Sequence, residues 1–245
     1  MIVGFVGSGS MAAAMARGWA GEFEGMLFSD SGSGRAVELA RELGGEAVSN
    51  REIADRADLL VLAVKPAKLD EVAADLREAR AVISLLGATA LERVSTAFPG
   101  AEVLRVMPNV GVEVRKGVLC IAGIASGEAR TKLALLGHVV EIPDEDFDAA
   151  TAVMGCAPAY LALAVEAIAD AGAADGLDEE LARELVVETA TGTAELLRIR
   201  PPDEVRKAVA SPGGSTEAGL EALEEEGARE AFGAAVRASL ERMRG

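Results

Sequence analysis

A chain of 245 residues with a formal net charge of −16 has room for two packed units, and with half of it apolar but only 3% aromatic, its cores must be built from Ala, Val, Leu and Ile. That acidic balance argues against nucleic acid or an anionic membrane surface as partner, because both are bound by clustered Lys and Arg. Cys120 and Cys156 are too few for a disulfide framework and too far apart for a metal or redox motif, and no uninterrupted apolar run approaches the ~20 residues that span a bilayer, so the expectation is a cytoplasmic protein without a metal site.

The chain opens on a β-branched run at 2–6 and passes at once into Gly7-Ser8-Gly9-Ser10-Met11-Ala12 and an Ala-rich helical stretch. A secretory leader is not expected here, since this start lacks a basic leading region and carries Gly4, Gly7 and Gly9 through its apolar part. A GxGxxA turn between strand and helix is a dinucleotide fingerprint: Gly7 permits the tight turn, Gly9 admits the pyrophosphate, and Ala12 lets helix pack on strand. The free N–H groups at the helix start would then face the phosphates. The plainer alternative is a glycine-rich turn with no ligand.

A second strand at 26–29 ends in Ser29-Asp30-Ser31-Gly32-Ser33-Gly34-Arg35, where dinucleotide enzymes read the adenosine ribose. The signals conflict there. Asp30 stands where an acid would accept from an NAD ribose hydroxyl, whereas Ser31, Ser33 and Arg35 would hold the extra phosphate of NADP; an ordinary polar turn and helix cap is the bland alternative. Further strands are predicted at 59–64, 81–85 and 103–107, separated by helices at 36–43, 69–76 and 91–98. A last pair at 118–122 and 139–142 brackets a helix at 128–136. Alternation of this kind builds an α/β fold, a doubly wound, mostly parallel sheet of about seven or eight strands over residues 1–145.

Beyond Pro143 the periodicity shifts to 3.6, and residues 146–245 read as all-helical, with helices at 159–171, 179–197, 203–209, 217–225 and 229–243. The first two carry apolar residues on more than one face, among them Leu161, Leu163, Ile168, Leu181 and Leu185, which calls for a partner and predicts a dimer.

Four further segments give the chain its closest likeness: Ala63-Val64-Lys65-Pro66, Arg105-Val106-Met107-Pro108-Asn109, the stretch ending Ala157-Pro158-Ala159-Tyr160, and Ser211-Pro212-Gly213-Gly214-Ser215-Thr216. In order and spacing they resemble the pyrroline-5-carboxylate reductase family over nearly the whole chain. The resemblance implies a Rossmann-like domain followed by an all-helical dimerisation domain, in homodimers that sometimes assemble into decamers. It implies NADPH as cofactor, with NADH as the alternative, and a cyclic imine as substrate. By matching position the cofactor contacts fall on Val6, Gly7, Ser8, Gly9, Ser10, Met11, Asn50, Ala63, Val64, Lys65, Pro66 and Asn109, with Ser31 and Arg35 for the extra phosphate. Substrate contacts fall on Ser211, Gly214, Ser215 and Thr216, with Thr216 as the catalytic candidate for a hydrogen bond to the ring nitrogen.

Plainer readings stand beside these: Lys65 before Pro66 ends a strand, and residues 211–216 make a Pro-Gly turn with a Ser/Thr helix cap. The chain also departs from the family, with Met154-Gly155-Cys156-Ala157 where SGSG is usual, Gly111 where proline is usual, and shifted small residues in Leu86-Gly87-Ala88-Thr89. These departures mark a divergent member.

The sole histidine, His138, enters an apolar strand far from every motif and reads as structural. Dehydrogenases that rely on imidazole lose their acid, which favours a substrate that arrives activated. A protonated cyclic imine meets that need, and its carboxylate would be held by backbone N–H groups around residues 211–216. The rivals are another imine or β-hydroxy-acid reductase, the latter normally needing a lysine that 159–171 lacks, and a cofactor-binding regulatory protein without turnover.

Overall fold

The computed structural model describes residues 1–123 and 127–244, which divide into two compact units, Met1–Gly155 with the chain end from Arg242, and Cys156–Glu241. In chain order the first unit contains β1 (Ile2–Val6), α1 (Ser10–Gly18), β2 (Gly25–Ser29), α2 (Arg35–Leu43), β3 (Glu46–Ala47), α3 (Asn50–Arg56), β4 (Leu59–Leu62), α4 (Leu69–Asp75), β5 (Ala81–Ser84), α5 (Leu91–Ala97), β6 (Glu102–Pro108), β7 (Gly117–Gly123), α6 (Gly127–Ala134), β8 (Gly137–Glu141) and α7 (Phe147–Ala150).

Among the described residues the sheet has eight strands in the order β3-β2-β1-β4-β5-β6-β7-β8. From β1 the chain winds outward through β2 and β3, then returns to place β4 on the other side of β1, so the direction of winding reverses between β1 and β4. An open sheet binds its ligand at that reversal, outside the carboxyl ends of the strands. Among the described residues only the β6–β7 pairing is antiparallel, so β7 and β8, parallel to each other, run opposite to the other six strands. The β6–β7 connection is the short 3₁₀ segment Val110–Val114, too short for the crossover that a parallel pair requires. The eighth strand, β3, has two exposed residues at the sheet edge, and a segment that short carries no periodicity from which to predict it.

Both faces of the sheet are covered, which is why its strands read as continuous apolar runs. Val3, Phe5, Phe28 and Val61 face one layer, where Met15 and Trp19 of the α1 region and Leu133 of α6 complete a core. Val6, Leu27 and Leu62 face the other, against Ile53 of α3, Leu69 and Val72 of α4 and Val94 of α5. Phe5 and Phe28 stack with ring centroids 5.3 Å apart, and the Trp19 indole N–H donates to the Lys132 carbonyl at 2.7 Å.

A buried cation ties the sheet to the segment that leaves it. Arg105, 4% exposed in the middle of β6, lies over the Phe147 ring at 4.2 Å and pairs with Asp144 at 2.8 Å. The other Asp144 oxygen accepts from the Leu91 N–H that opens α5, at 3.1 Å. Arg105 Nε has no hydrogen-bond partner. These contacts explain why the first compact unit extends to Gly155, whereas the sequence pattern turns helical after residue 145.

The second unit consists of α8 (Ala157–Ala174), α9 (Glu179–Leu197), α10 (Pro202–Val209), α11 (Ser215–Glu225) and α12 (Ala228–Arg244). Here α8 packs on α9, and the Tyr160 hydroxyl meets Ser239 Oγ of α12 at 2.6 Å. Much of its apolar surface stays uncovered, with Leu161 and Leu163 each 64% exposed and Ile168, Leu185 and Phe232 also outside. An open concavity of about 1580 Å³ runs along α8 and α9, lined by Leu163, Val165, Ala169, Leu177 and Val187. One expectation needs correction. The helical path Asp144–Ala174, 31 residues, is long and apolar enough by length and composition to cross a membrane. Between Asp148 and Glu166 no charged residue interrupts the sequence, and Pro158 within that stretch opens α8 instead of ending it.

Removing the counter-ion of a buried cation costs more than removing both charges. Asp144→Ala should therefore destabilise the sheet unit by about 3 kcal/mol, and Arg105→Met, which keeps volume and abolishes the charge, by less than about half of that. Urea unfolding followed by the fluorescence of Trp19 reads both; equal losses would contradict the assignment of Asp144 as counter-ion.

Candidate active site

At the reversal point the first turn and the end of β4 touch. A Cβ on Gly7 would lie 2.5 Å from the Ala63 carbonyl oxygen, and Gly7 takes φ +95°, so no other residue fits. The Gly7 N–H and the Ser8 hydroxyl both donate to the Ser29 carbonyl, at 3.1 and 3.0 Å, and the Ala63 N–H donates to the Val6 carbonyl at 2.8 Å. The ends of β1, β2 and β4 are thus locked to one another. Val6 and Ser8 are buried, so each faces the crevice only through its backbone.

Gly9 is the N-cap of α1 and has a different surrounding, since a Cβ there would meet nothing within 4 Å. No side chain caps this helix, so its first N–H groups point into that space. Ser10 is exposed, Met11 half-buried, and Ala12 is packed against the core. This fits a pyrophosphate: the backbone is open to close approach and the helix start favours negative charge.

Next to the turn lies a groove of about 590 Å³ lined by Ser29, Asp30, Val48, Ser49, Asn50, Arg51 and Asp75. Asn50 is the first residue of α3, which Ser49 and Glu52 start with a reciprocal capping box. Its Oδ1 accepts from the Ser29 hydroxyl at 2.7 Å. Ser31 and Arg35 are exposed beside the groove. Asp30 is not open to it in the same way: Oδ1 accepts from the N–H groups of Gly32 and Ser33, and Oδ2 from the Ser33 hydroxyl and the Ala36 N–H. These donors, the Ala36 N–H foremost, hold its carboxyl below the usual carboxylate range.

At the end of β4, Ala63 and Val64 are half-buried while Lys65 and Pro66 are exposed at the start of a 3₁₀ turn, Pro66–Lys68. Among the described residues Arg35, Arg51 and Lys65 have no ion-pair partner, and neither do Arg41, Arg77, Arg80 and Lys116 elsewhere on the unit, whereas Arg17, Arg56, Arg93, Arg115 and Arg130 are paired. Of the residues lining the groove Arg51 is cationic and Asp30 and Asp75 are acidic, so the attraction for an anion comes from the uncapped helix start more than from side-chain charge. Sequence reasoning missed Ser29, which joins three of the elements, and Arg51, for which an exposed arginine in a helical stretch gave no signal.

Asn109, expected beside the nicotinamide, closes β6 at the same edge. Its side chain is engaged at both ends, accepting from the Val118 N–H at 3.1 Å and donating to the Met154 carbonyl at 3.2 Å. It therefore fastens the π-helical turn Thr151–Gly155, where the chain departs from the family, to the sheet.

The remaining candidates belong to the second unit. The segment 211–216 forms a turn closed by the Gly214 N–H on the Ser211 carbonyl at 2.9 Å, and the Gly213 N–H is taken by the Glu217 carboxylate at 2.6 Å. Helix α11 begins at Ser215, two residues before the predicted start, with Gly214 as its N-cap and no side-chain cap. Ser215 and Thr216 are exposed in its first turn, so neither hydroxyl plays the capping role that the plainer reading assigned.

A glycine turn leading into an uncapped helix start at the reversal point of an open sheet is the architecture of the dinucleotide-binding class of α/β proteins. Comparison with known proteins narrows the class. Residues 144–245 match a family model described as pyrroline-5-carboxylate reductase dimerisation, and residues 2–87 match one described as NADP oxidoreductase, coenzyme F420-dependent. The pyrroline-5-carboxylate reductase of Synechocystis sp. is 40% identical over 204 residues, 79% of this chain and 76% of that protein. Solved structures of the Streptococcus pyogenes enzyme (29% identity, TM-score 0.86) and of the Plasmodium falciparum enzyme with NADP bound (27%, 0.85) each cover 99% of this chain, and 98% and 97% of theirs. The chain belongs to the pyrroline-5-carboxylate reductase family.

Gly7 and Gly9 should respond differently to substitution. Gly9→Val fills open space, so it should leave the Trp19-reported melt unchanged and raise the NADPH dissociation constant by about tenfold or more. Gly7→Ala drives Cβ into backbone and should lower the melting temperature itself. Unchanged cofactor affinity in Gly9→Val would displace the nucleotide site from this turn.

Proposed function

We propose that the chain reduces 1-pyrroline-5-carboxylate to L-proline with NADPH, and with NADH as a poorer donor, acting as a cytoplasmic homodimer in amino-acid biosynthesis. The observation that carries this reading is family membership together with a turn whose uncapped helix start and open backbone suit a dinucleotide. A bound reduced nicotinamide supplies the hydride. The chain's contribution is placement: α1 and the Gly7 to Met11 turn hold the phosphates, Asn50 and Arg35 serve the adenosine end, and residues 63–66 line the nicotinamide end.

The substrate needs little more than orientation, because its protonated ring nitrogen already makes the neighbouring carbon electrophilic. Transfer of hydride to that carbon leaves a neutral amine, so no further proton is required in the step. The exposed hydroxyls of Ser215 and Thr216 and the uncapped start of α11 suit the substrate carboxylate, with Thr216 meeting the ring nitrogen. His138, exposed on β8, is left outside this scheme.

The uncovered apolar faces of α8 and α9 support the homodimer: burying Leu161, Leu163 and Ile168 against a second copy removes apolar area from water at about 25 cal/mol per Å². The same surface accounts for the apolar length of Asp144–Ala174 without a bilayer. Free Cys120 and Cys156 suit a reducing compartment, and burial pushes the Cys120 thiol up, away from reactivity. Sedimentation separates a dimer from a decamer.

Oxidation of NADPH on addition of 1-pyrroline-5-carboxylate is the direct test, with proline as product; nucleotide binding without turnover would mean a regulatory protein instead. Thr216→Ala should lower turnover by about tenfold or more while sparing nucleotide affinity. If the partner's 211–216 segment completes each site, mixing Gly9→Val with Thr216→Ala subunits should restore part of the activity, since one site in each heterodimer carries neither lesion. No recovery in verified mixed dimers would place each site within one chain.

A further inference from the structure

The end of β2 sends two messages in the sequence, an acid suited to a ribose diol and a Ser/Arg cluster suited to a phosphate. The structure separates them by the way one side chain is used. A carboxylate has about four lone-pair sites. In Asp30 all four are taken, Oδ1 by Gly32 N at 2.7 Å and Ser33 N at 3.1 Å, and Oδ2 by Ser33 Oγ at 2.9 Å and Ala36 N at 2.9 Å.

We propose that Asp30 is a specificity-determining positioning residue: its carboxylate does not receive the adenosine ribose but folds the 31–35 loop around itself, so that the loop presents Ser31 and Arg35 to a 2′-phosphomonoester. The inference rests on the reductase reading above and deepens it. To accept from a ribose diol, Asp30 would have to release some of these donors, among them the N–H of Ala36, a residue 5% exposed in the first turn of α2. The same donors spread its negative charge into the loop and helix start, which weakens the repulsion a free acid would exert on a phosphate. Arg35 is the first residue of α2, so a loop held by Asp30 also fixes where that guanidinium starts. Because the carboxyl is held below its usual range, the arrangement is complete at neutral pH and is lost only as the pH falls through that lowered value.

The test is calorimetric binding of ADP-ribose and 2′-phospho-ADP-ribose, which needs no turnover. The wild-type protein should favour the phosphorylated fragment. Asp30→Ala should weaken that fragment by about tenfold and ADP-ribose by less than about threefold, moving the ratio toward one. Asp30→Asn, which retains one acceptor oxygen but offers an amide to the Ala36 N–H, should fall between. The opposite pattern, with ADP-ribose losing most and the phosphorylated fragment spared, would show that Asp30 reads the ribose and would overturn the proposal, as would equal losses or none. If Asp30→Ala no longer melts cooperatively, Asp30→Asn is judged by the direction of the same ratio. A wild-type protein that binds neither fragment would overturn the dinucleotide reading itself, whereas normal wild-type binding with the opposite pattern would overturn only the role of Asp30.

Discussion

Two backbones meet at Gly7. The turn leaving β1 passes so close to the Ala63 carbonyl that a single Cβ would collide with it, and this approach sits where the winding of the sheet reverses. With that contact in place, the carboxyl ends of β1, β2 and β4 are joined by the shared Ser29 carbonyl and the Val6 to Ala63 hydrogen bond, and the open space in front of Gly9 follows. The crevice is therefore made mostly of backbone, which is why it reads from sequence as glycines and small residues more than as charged groups.

The charged groups work at the margins. Arg51 lines the groove without an ion-pair partner among the described residues, in a chain of net charge −16, and two acids, Asp30 and Asp75, line it as well. Of these acids Asp30 is engaged by four donors of its own loop and helix start.

A second constraint links the sheet to the segment that leads out of it. Arg105 holds Asp144 and Phe147, and Asn109 holds the Met154 carbonyl, so two positions four residues apart along the chain pin both ends of the exit segment. The family match described as dimerisation begins at residue 144, yet the contacts keep residues up to Gly155 with the sheet. The altered stretch at Met154 to Ala157 thus starts on an anchored turn, and its departure from the family pattern leaves the anchoring hydrogen bond a backbone one that any side chain permits.

What the sequence by itself determined is what depends on local rules. Alternating apolar runs and helical stretches placed seven of the eight strands, and GxGxxA between strand and helix marked the tight turn after β1, because only glycine tolerates the φ and the close neighbours of Gly7. The change to a period near 3.6 after Pro143 announced the helical unit, and its two-sided apolar helices announced a partner. Only the tertiary structure decided the rest. The direction of β7 depends on a connection too short to cross over, the two-residue β3 exists only because β2 offers an edge, and the sheet's claim on residues 144–155 comes from a buried arginine whose partners lie 39 and 42 positions away along the chain. Whether Asp30 faces a ribose or its own loop is likewise invisible in the letters, since the donors that decide it are backbone N–H groups whose directions exist only after the chain has folded.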